Sequence, residues 1–252
     1  MSATTAGVGV WVLAAGALVL IGLPLAGLLV RAPWSTFLHD VTAPSALQAL
    51  RLSLACSLGA LALCLVLGVP LAWILARSSV PGLGLVRAVV LVPMVLPPVV
   101  GGAALLFAFG RRGVLPLRLP FTTAGAVVAE AFVALPFLVL ATEAGLRGLD
   151  RRYEEAAAVL GAGPWSRFVH VTLPQVAPAV AAGAALSWAR ALGEFGATIT
   201  FAGNLPGRTQ TLPLAVYVAL QTDRDAALAL SVLLLAVSVA VIAGLRGRWT
   251  WR

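Results

Sequence analysis

The length of its uncharged apolar runs constrains this chain more than any other feature. Val8–Val30 contains no charged residue, and about 20 mainly apolar residues carry an α-helix across a bilayer core. A helix that is apolar on every side has no face to show to water. Composition points the same way: 61% of the residues are hydrophobic and 10% are charged, whereas soluble domains carry roughly 25% charged residues. The expected solvent is lipid.

Breaks between apolar blocks give six candidate spans: Val8–Val30, Leu47–Ala76, Leu85–Gly110, Thr122–Leu146, Val176–Phe201 and Ala226–Leu245. The expected fold is an all-α polytopic membrane protein, one multi-pass transmembrane domain over residues 1–252. The second block is long enough to tilt or to begin as a surface helix, and Pro44-Ser45 suits a helix start. Thr209–Gln221 is apolar but too short to span, which predicts a re-entrant or surface-lying piece. Met1–Gly9 lacks a basic region, so the first run is expected to be a retained span and not a signal peptide.

Six spans put both termini on one side, and loop arginines indicate which. Arg77, Arg87, Arg147, Arg151, Arg152, Arg167, Arg246, Arg248 and Arg252 share the side of the termini, which is therefore expected to be cytoplasmic. Arg31, Arg111, Arg112, Arg118 and Arg208 fall on the other side, with Arg224 close by; the Arg111–Arg118 cluster runs against the rule. These outer arginines suit either an anionic substrate and an acidic partner surface or simple solvation. The net charge of +8 does not indicate a nucleic-acid partner, because the arginines lie between apolar blocks and not along one face.

No lysine occurs in the sequence. A standard phosphate-binding loop, G-x-x-x-x-G-K-[ST], is thereby excluded. If ATP drives this protein, ATP and its Mg belong to another chain, and no cofactor or metal is expected here. Cys56 and Cys64 lack metal-ligand spacing, His39 and His170 fall on opposite sides, and no nucleophile–base constellation supports an enzyme. Three ionisable residues qualify as candidates for a role inside the spans: Glu130, Arg190 and Glu194. Arg190 and Glu194 are four apart and can pair. Two readings stand for the three, a structural ion pair or a part in substrate passage, the latter also suiting an ion-coupled secondary anion transporter. Glu143 and Arg147, also four apart, suggest an interfacial pair. In the third span Pro93, Pro97 and Pro98 precede Gly101-Gly102, a combination that marks a gate region or a packing kink.

The inner loop, residues 147–175, is organised. Asp150 can cap a helix carrying Glu154, Glu155, Ala156, Ala157 and Ala158, which Gly161 stops. Pro164 starts a second short helix whose apolar face is Trp165, Phe168 and Val169, and Leu173-Pro174 is expected to end it. Exposed aromatics on such a helix–turn–helix call for a partner protein, or else a fold back onto the bundle or lipid headgroups.

Glu155-Ala156-Ala157, Gly161, Val171 and Leu173-Pro174, at their spacing, resemble the EAA motif in membrane subunits of binding-protein-dependent ABC importers; Val171 stands where the motif prefers isoleucine. The resemblance implies that Glu155, Ala156, Ala157, Gly161, Pro164, Trp165, Phe168, Leu173 and Pro174 belong to a coupling element docking on an ATPase subunit. Arg190-Ala191-Leu192-Gly193-Glu194-Phe195-Gly196-Ala197-Thr198, with the loop from Phe201 to Pro213, resembles the molybdate permeases; sulfate and thiosulfate permeases share the Leu-Gly-Glu-Phe-Gly core. The resemblance further implies a homodimeric pore, two ATPase copies, an extracytoplasmic binding protein and an oxyanion cargo.

Overall fold

The computed structural model describes residues 7–246; Arg248 and Arg252 lie outside them. Among the described residues the ordered elements are all helical: α1 (Val8–Val30), α2 (Phe37–Thr42), α3 (Pro44–Arg77), α4 (Leu83–Val95), α5 (Pro98–Phe109), α6 (Thr123–Arg147), α7 (Arg152–Val159), α8 (Pro164–Arg167), a π-helical turn (Phe168–Thr172), α9 (Leu173–Leu192), α10 (Gly196–Phe201), α11 (Leu212–Thr222) and α12 (Arg224–Arg246). Five helical stretches are long and apolar enough to cross a membrane, six if the bent pair α4–α5 counts as one.

Small residues explain the packing. The helices α3, α6 and α9 form the centre, and where they meet the buried residues are Ala60, Cys64, Ala131, Ala134, Leu138 and Ala191. In lipid, association depends on close backbone approach and on interhelical hydrogen bonds. Both occur here: Ser187 Oγ donates to the Ala134 carbonyl at 3.0 Å, Cys64 Sγ to the Ala131 carbonyl at 3.5 Å, and Trp188 Nε1 to Ser57 Oγ at 3.0 Å. Cys56 and Cys64 are free and buried. By contrast α1 is exposed along nearly its whole length and packs mainly on α12.

Two expected spans are broken. Leu85–Gly110 becomes α4 and α5, which meet at 120°. Each residue before a proline avoids the helical region, so Leu96 and Pro97 are both extended, with ψ 133° each. Pro98 then starts α5, and Gly101-Gly102 lies inside a regular helix instead of at the break. Val176–Phe201 is likewise interrupted, at Gly193–Phe195, and α10 follows as a separate short helix. The apolar stretch at Thr209–Gln221 forms the short helix α11, packed on α12 and α3.

Candidate functional site

One end of the bundle carries the loop between α6 and α9. Asp150 Oδ1 accepts the Arg152 N–H at 3.0 Å and so caps α7. At its other end the Gly161 N–H reaches the Ala158 carbonyl at 3.0 Å and the Ala162 N–H reaches the Ala157 carbonyl at 2.9 Å. This paired closure needs a left-handed residue, and Gly161 supplies it at φ +85°. Gly163 then leads into α8, with Pro164 as its first residue.

Leu173-Pro174 does not end the helix. The chain continues from Pro164 to Leu192 without leaving helical conformation. The register widens instead: the Leu173 N–H bonds the Phe168 carbonyl, five residues back. A π-helical turn of this kind makes room for a proline ring and its missing donor inside a helix. The loop is therefore joined rigidly to a spanning helix.

The loop divides into an inner and an outer face. On the inner face Glu154 Oε1 accepts from Arg77 Nη2 at 2.9 Å and from Thr172 Oγ1 at 2.7 Å, tying α7 to the end of α3 and to the π-helical turn that leads into α9. Phe168 stacks edge-on against Trp73, ring centroids 5.3 Å apart. A pocket of about 210 Å³ lies between Trp73, Glu154, Pro164, Arg167, Phe168 and Thr172. On the outer face Glu155, Ala156, Leu173 and Pro174 are exposed and Ala157 is half-buried, while Pro164 is exposed at the rim of the pocket. Trp165 is 74% exposed, Val159 88% and Leu160 87%. Val159 and Leu160, an apolar pair between the alanine run and the stop at Gly161, are not among the residues that the resemblance assigns to the coupling element.

The intramembrane charges lie deeper. Arg190 and Glu194 form the expected pair, but Glu194 sits beyond the end of α9. Its other oxygen accepts the Ala197 N–H at 2.8 Å, so one carboxylate both neutralises Arg190 and caps α10. Glu130 on α6 is buried, within electrostatic reach of Glu194, and its Oε2 has no hydrogen-bond partner. The structure also brings α10 against α5: a Cβ on Gly196 would meet Pro98, and one on Gly102 would meet Ala197 and Thr200. Pro97 and Pro98 thus lie at a bend backed by Gly196 of the Leu-Gly-Glu-Phe-Gly segment, while Gly102 packs on α10 and Gly101 faces Phe132. Toward the opposite end from the loop, a cavity of about 550 Å³ is lined by Leu106, Arg111, Arg118, Pro120 and Phe121.

Residues 68–251 match the family of binding-protein-dependent transport system inner membrane components. The chain belongs to that family. It is a transport permease subunit of the inner membrane. It is 44% identical to the molybdenum transport system permease protein ModB of Mycobacterium tuberculosis, over 95% of this chain and 93% of that one. The sulfate transport system permease protein CysT of Escherichia coli is 36% identical over 87% of this chain and 83% of its own. The fold is that of a subunit in the crystal structure of a bacterial alginate ABC transporter in complex with an alginate pentasaccharide-bound periplasmic protein, with a TM-score of 0.68 at 18% identity over 93% of this chain and 92% of that one.

Proposed function

We propose that the chain passes molybdate into the cytoplasm through a pore between two copies of itself, driven by ATP hydrolysed on separate ABC ATPase subunits. The observation that carries the cargo is end-to-end similarity, at 44% identity, to a molybdenum permease. The observation that favours an external motor is the apolar outer face of the α7–α8 loop, since Tyr153, Val159, Leu160 and Trp165 are all exposed on a short polar segment. ATP and Mg would bind the ATPase, and this chain has no lysine with which to build a standard nucleotide site of its own.

In this reading the loop face is cytoplasmic, as are both termini, and residues 1–252 act as one domain. A binding protein delivers the oxyanion to the opposite face, near Arg111, Arg118 and Arg208. Closure of the ATPase dimer draws the two loops together, and because α8 runs into α9 through a π-helical turn the span moves with them. The bend at Pro97-Pro98, closely packed through Gly102 on α10, is the gate region. Arg190 and Glu194 support the broken backbone beside it and do not carry the cargo.

A second reading, sulfate or thiosulfate import, is favoured by the 36% identity to a sulfate permease. The complex reconstituted with its ATPase and binding protein separates the two. Molybdate-loaded binding protein is expected to stimulate ATP hydrolysis, and stimulation by sulfate alone overturns the cargo assignment.

A further inference from the structure

The last turn of α3 is held from two sides. On one side is the docking loop: Arg77 bonds Glu154, Trp73 meets Phe168, and the Arg77 guanidinium lies over the Trp73 ring at 5.6 Å. On the other side is α4. The Leu75 carbonyl, in the turn where helix carbonyls lack intrahelical donors, accepts from Arg87 Nη2 and faces Arg147 Nη2 at 3.5 Å. Arg87 Nε also donates to Glu143 Oε1 at 2.8 Å, and Arg147 completes that ion pair at 2.8 Å. Glu143 is buried, and the two arginines compensate its carboxylate.

Arg87 is the only polar side chain in α4. The helix buries no residue fully, and Leu83 and Val90 pack against the cluster of Ala72, Leu75 and Val139. From Arg87 the helix runs unbroken to Val95, where the 120° bend into α5 begins. A contiguous line of named contacts therefore joins the docking loop to the bend: Glu154 and Phe168, the end of α3, Arg87, α4. We infer that Arg87 is the positioning residue through which movement of the docking loop reaches the bent helix α4–α5. The inference rests on the transport reading above.

The test uses the full chain, assembled with its ATPase and binding protein in proteoliposomes, and reads molybdate moved per ATP hydrolysed. Arg87→Gln is expected to lower that ratio about tenfold, the scale of a lost charge-assisted hydrogen bond, with assembly and basal ATP hydrolysis unchanged. Glu143→Gln lowers it in the same direction, and the double variant falls no further than the worse single one, because the two side chains act through one contact. A merely structural Arg87 would reduce assembly or melting temperature and leave the ratio alone. If Arg87→Gln does not assemble, Arg87→Lys, which keeps the charge but loses one arm of the fork, is read in the same way and is expected to fall between wild type and Glu143→Gln. A wild-type ratio in the Arg87 variants, or losses that add in the double variant, overturns the inference. A wild-type complex that moves no oxyanion overturns the transport reading first and the inference with it.

Discussion

Gly102→Ala puts the contact between α5 and α10 under direct test. A methyl group at that position would lie 2.6 Å from Thr200 Cβ, 2.8 Å from the Ala197 carbonyl oxygen and 3.0 Å from Ala197 Cα. Two of these three atoms are backbone, and α10 cannot easily slide away. Its first turn is capped by Glu194, and Gly196 already lies against Pro98. Overpacking of this kind costs about 1–3 kcal/mol, while replacing glycine by alanine inside a helix returns about 1 kcal/mol of propensity. The neighbouring Gly101→Ala is the matched control, since its methyl would meet only the edge of Phe132, at 3.2 Å from Cε1. It keeps most of the propensity gain, so the two variants should differ by about 1–3 kcal/mol. Thermal melting in detergent is expected to rank Gly101→Ala at or above wild type and Gly102→Ala below it. Equal melting of the two alanine variants refutes the close approach of α5 to α10, and with it the assignment of the Pro97–Gly102 segment as a backed bend.

Glu154→Gln removes the charge that Arg77 and Thr172 share and should destabilise the protein by about 1–3 kcal/mol, between an exposed and a buried ion pair. Glu155→Gln, one residue along but exposed, should leave the melting temperature unchanged, so the pair of variants separates the anchoring face of α7 from its outer face. Trp165→Ala should likewise leave melting unchanged yet weaken binding of the ATPase subunit by about 2 kcal/mol, the scale of an exposed aromatic anchor. Titrating purified ATPase against the detergent-solubilised chain measures it, and unchanged affinity removes Trp165 from the docking face.

The spans at α1, α3, α6 and α12 were legible because an apolar run reports which solvent surrounds a segment. It does not report backbone direction: the prolines of the third span mark an irregularity there but not a 120° bend, and nothing in the fifth apolar run marks the break at Gly193–Phe195. The Pro97-Pro98 doublet carried the information for one break. At the other, the four-residue spacing of Arg190 and Glu194 implied a shared helical face; the pair does form, but from a residue already past the helix end. Leu173-Pro174 misled in the opposite sense, because a stop signal that is valid for an α-helix is absorbed by a π-helical register. On the loop between α6 and α9 the caps at Asp150 and Gly161 were readable, since each acts on its own neighbours. The partners of Glu154 and Arg87 were not: Arg77 is 77 residues from Glu154, and Glu143 is 56 from Arg87. Local periodicity does not encode such pairs.

Several of the charges in this bundle serve places where the backbone leaves regular helix. In hydrocarbon no water replaces a lost backbone hydrogen bond, so every break must be satisfied by protein. Glu194 serves the break between α9 and α10, and Arg87 and Arg147 serve the carbonyl end of α3. These roles bear on the energy source. An ion-coupled carrier needs ionisable groups free to exchange their partner, and of the three candidates within the spans Arg190 and Glu194 are already committed to each other and to α10. Glu130 alone retains an unpartnered oxygen, and it is buried. One buried carboxylate is a thin basis for ion coupling. A loop that is rigidly continuous with α9, clamped to α3, and apolar on its outer face is a more substantial point of entry for work done by another chain.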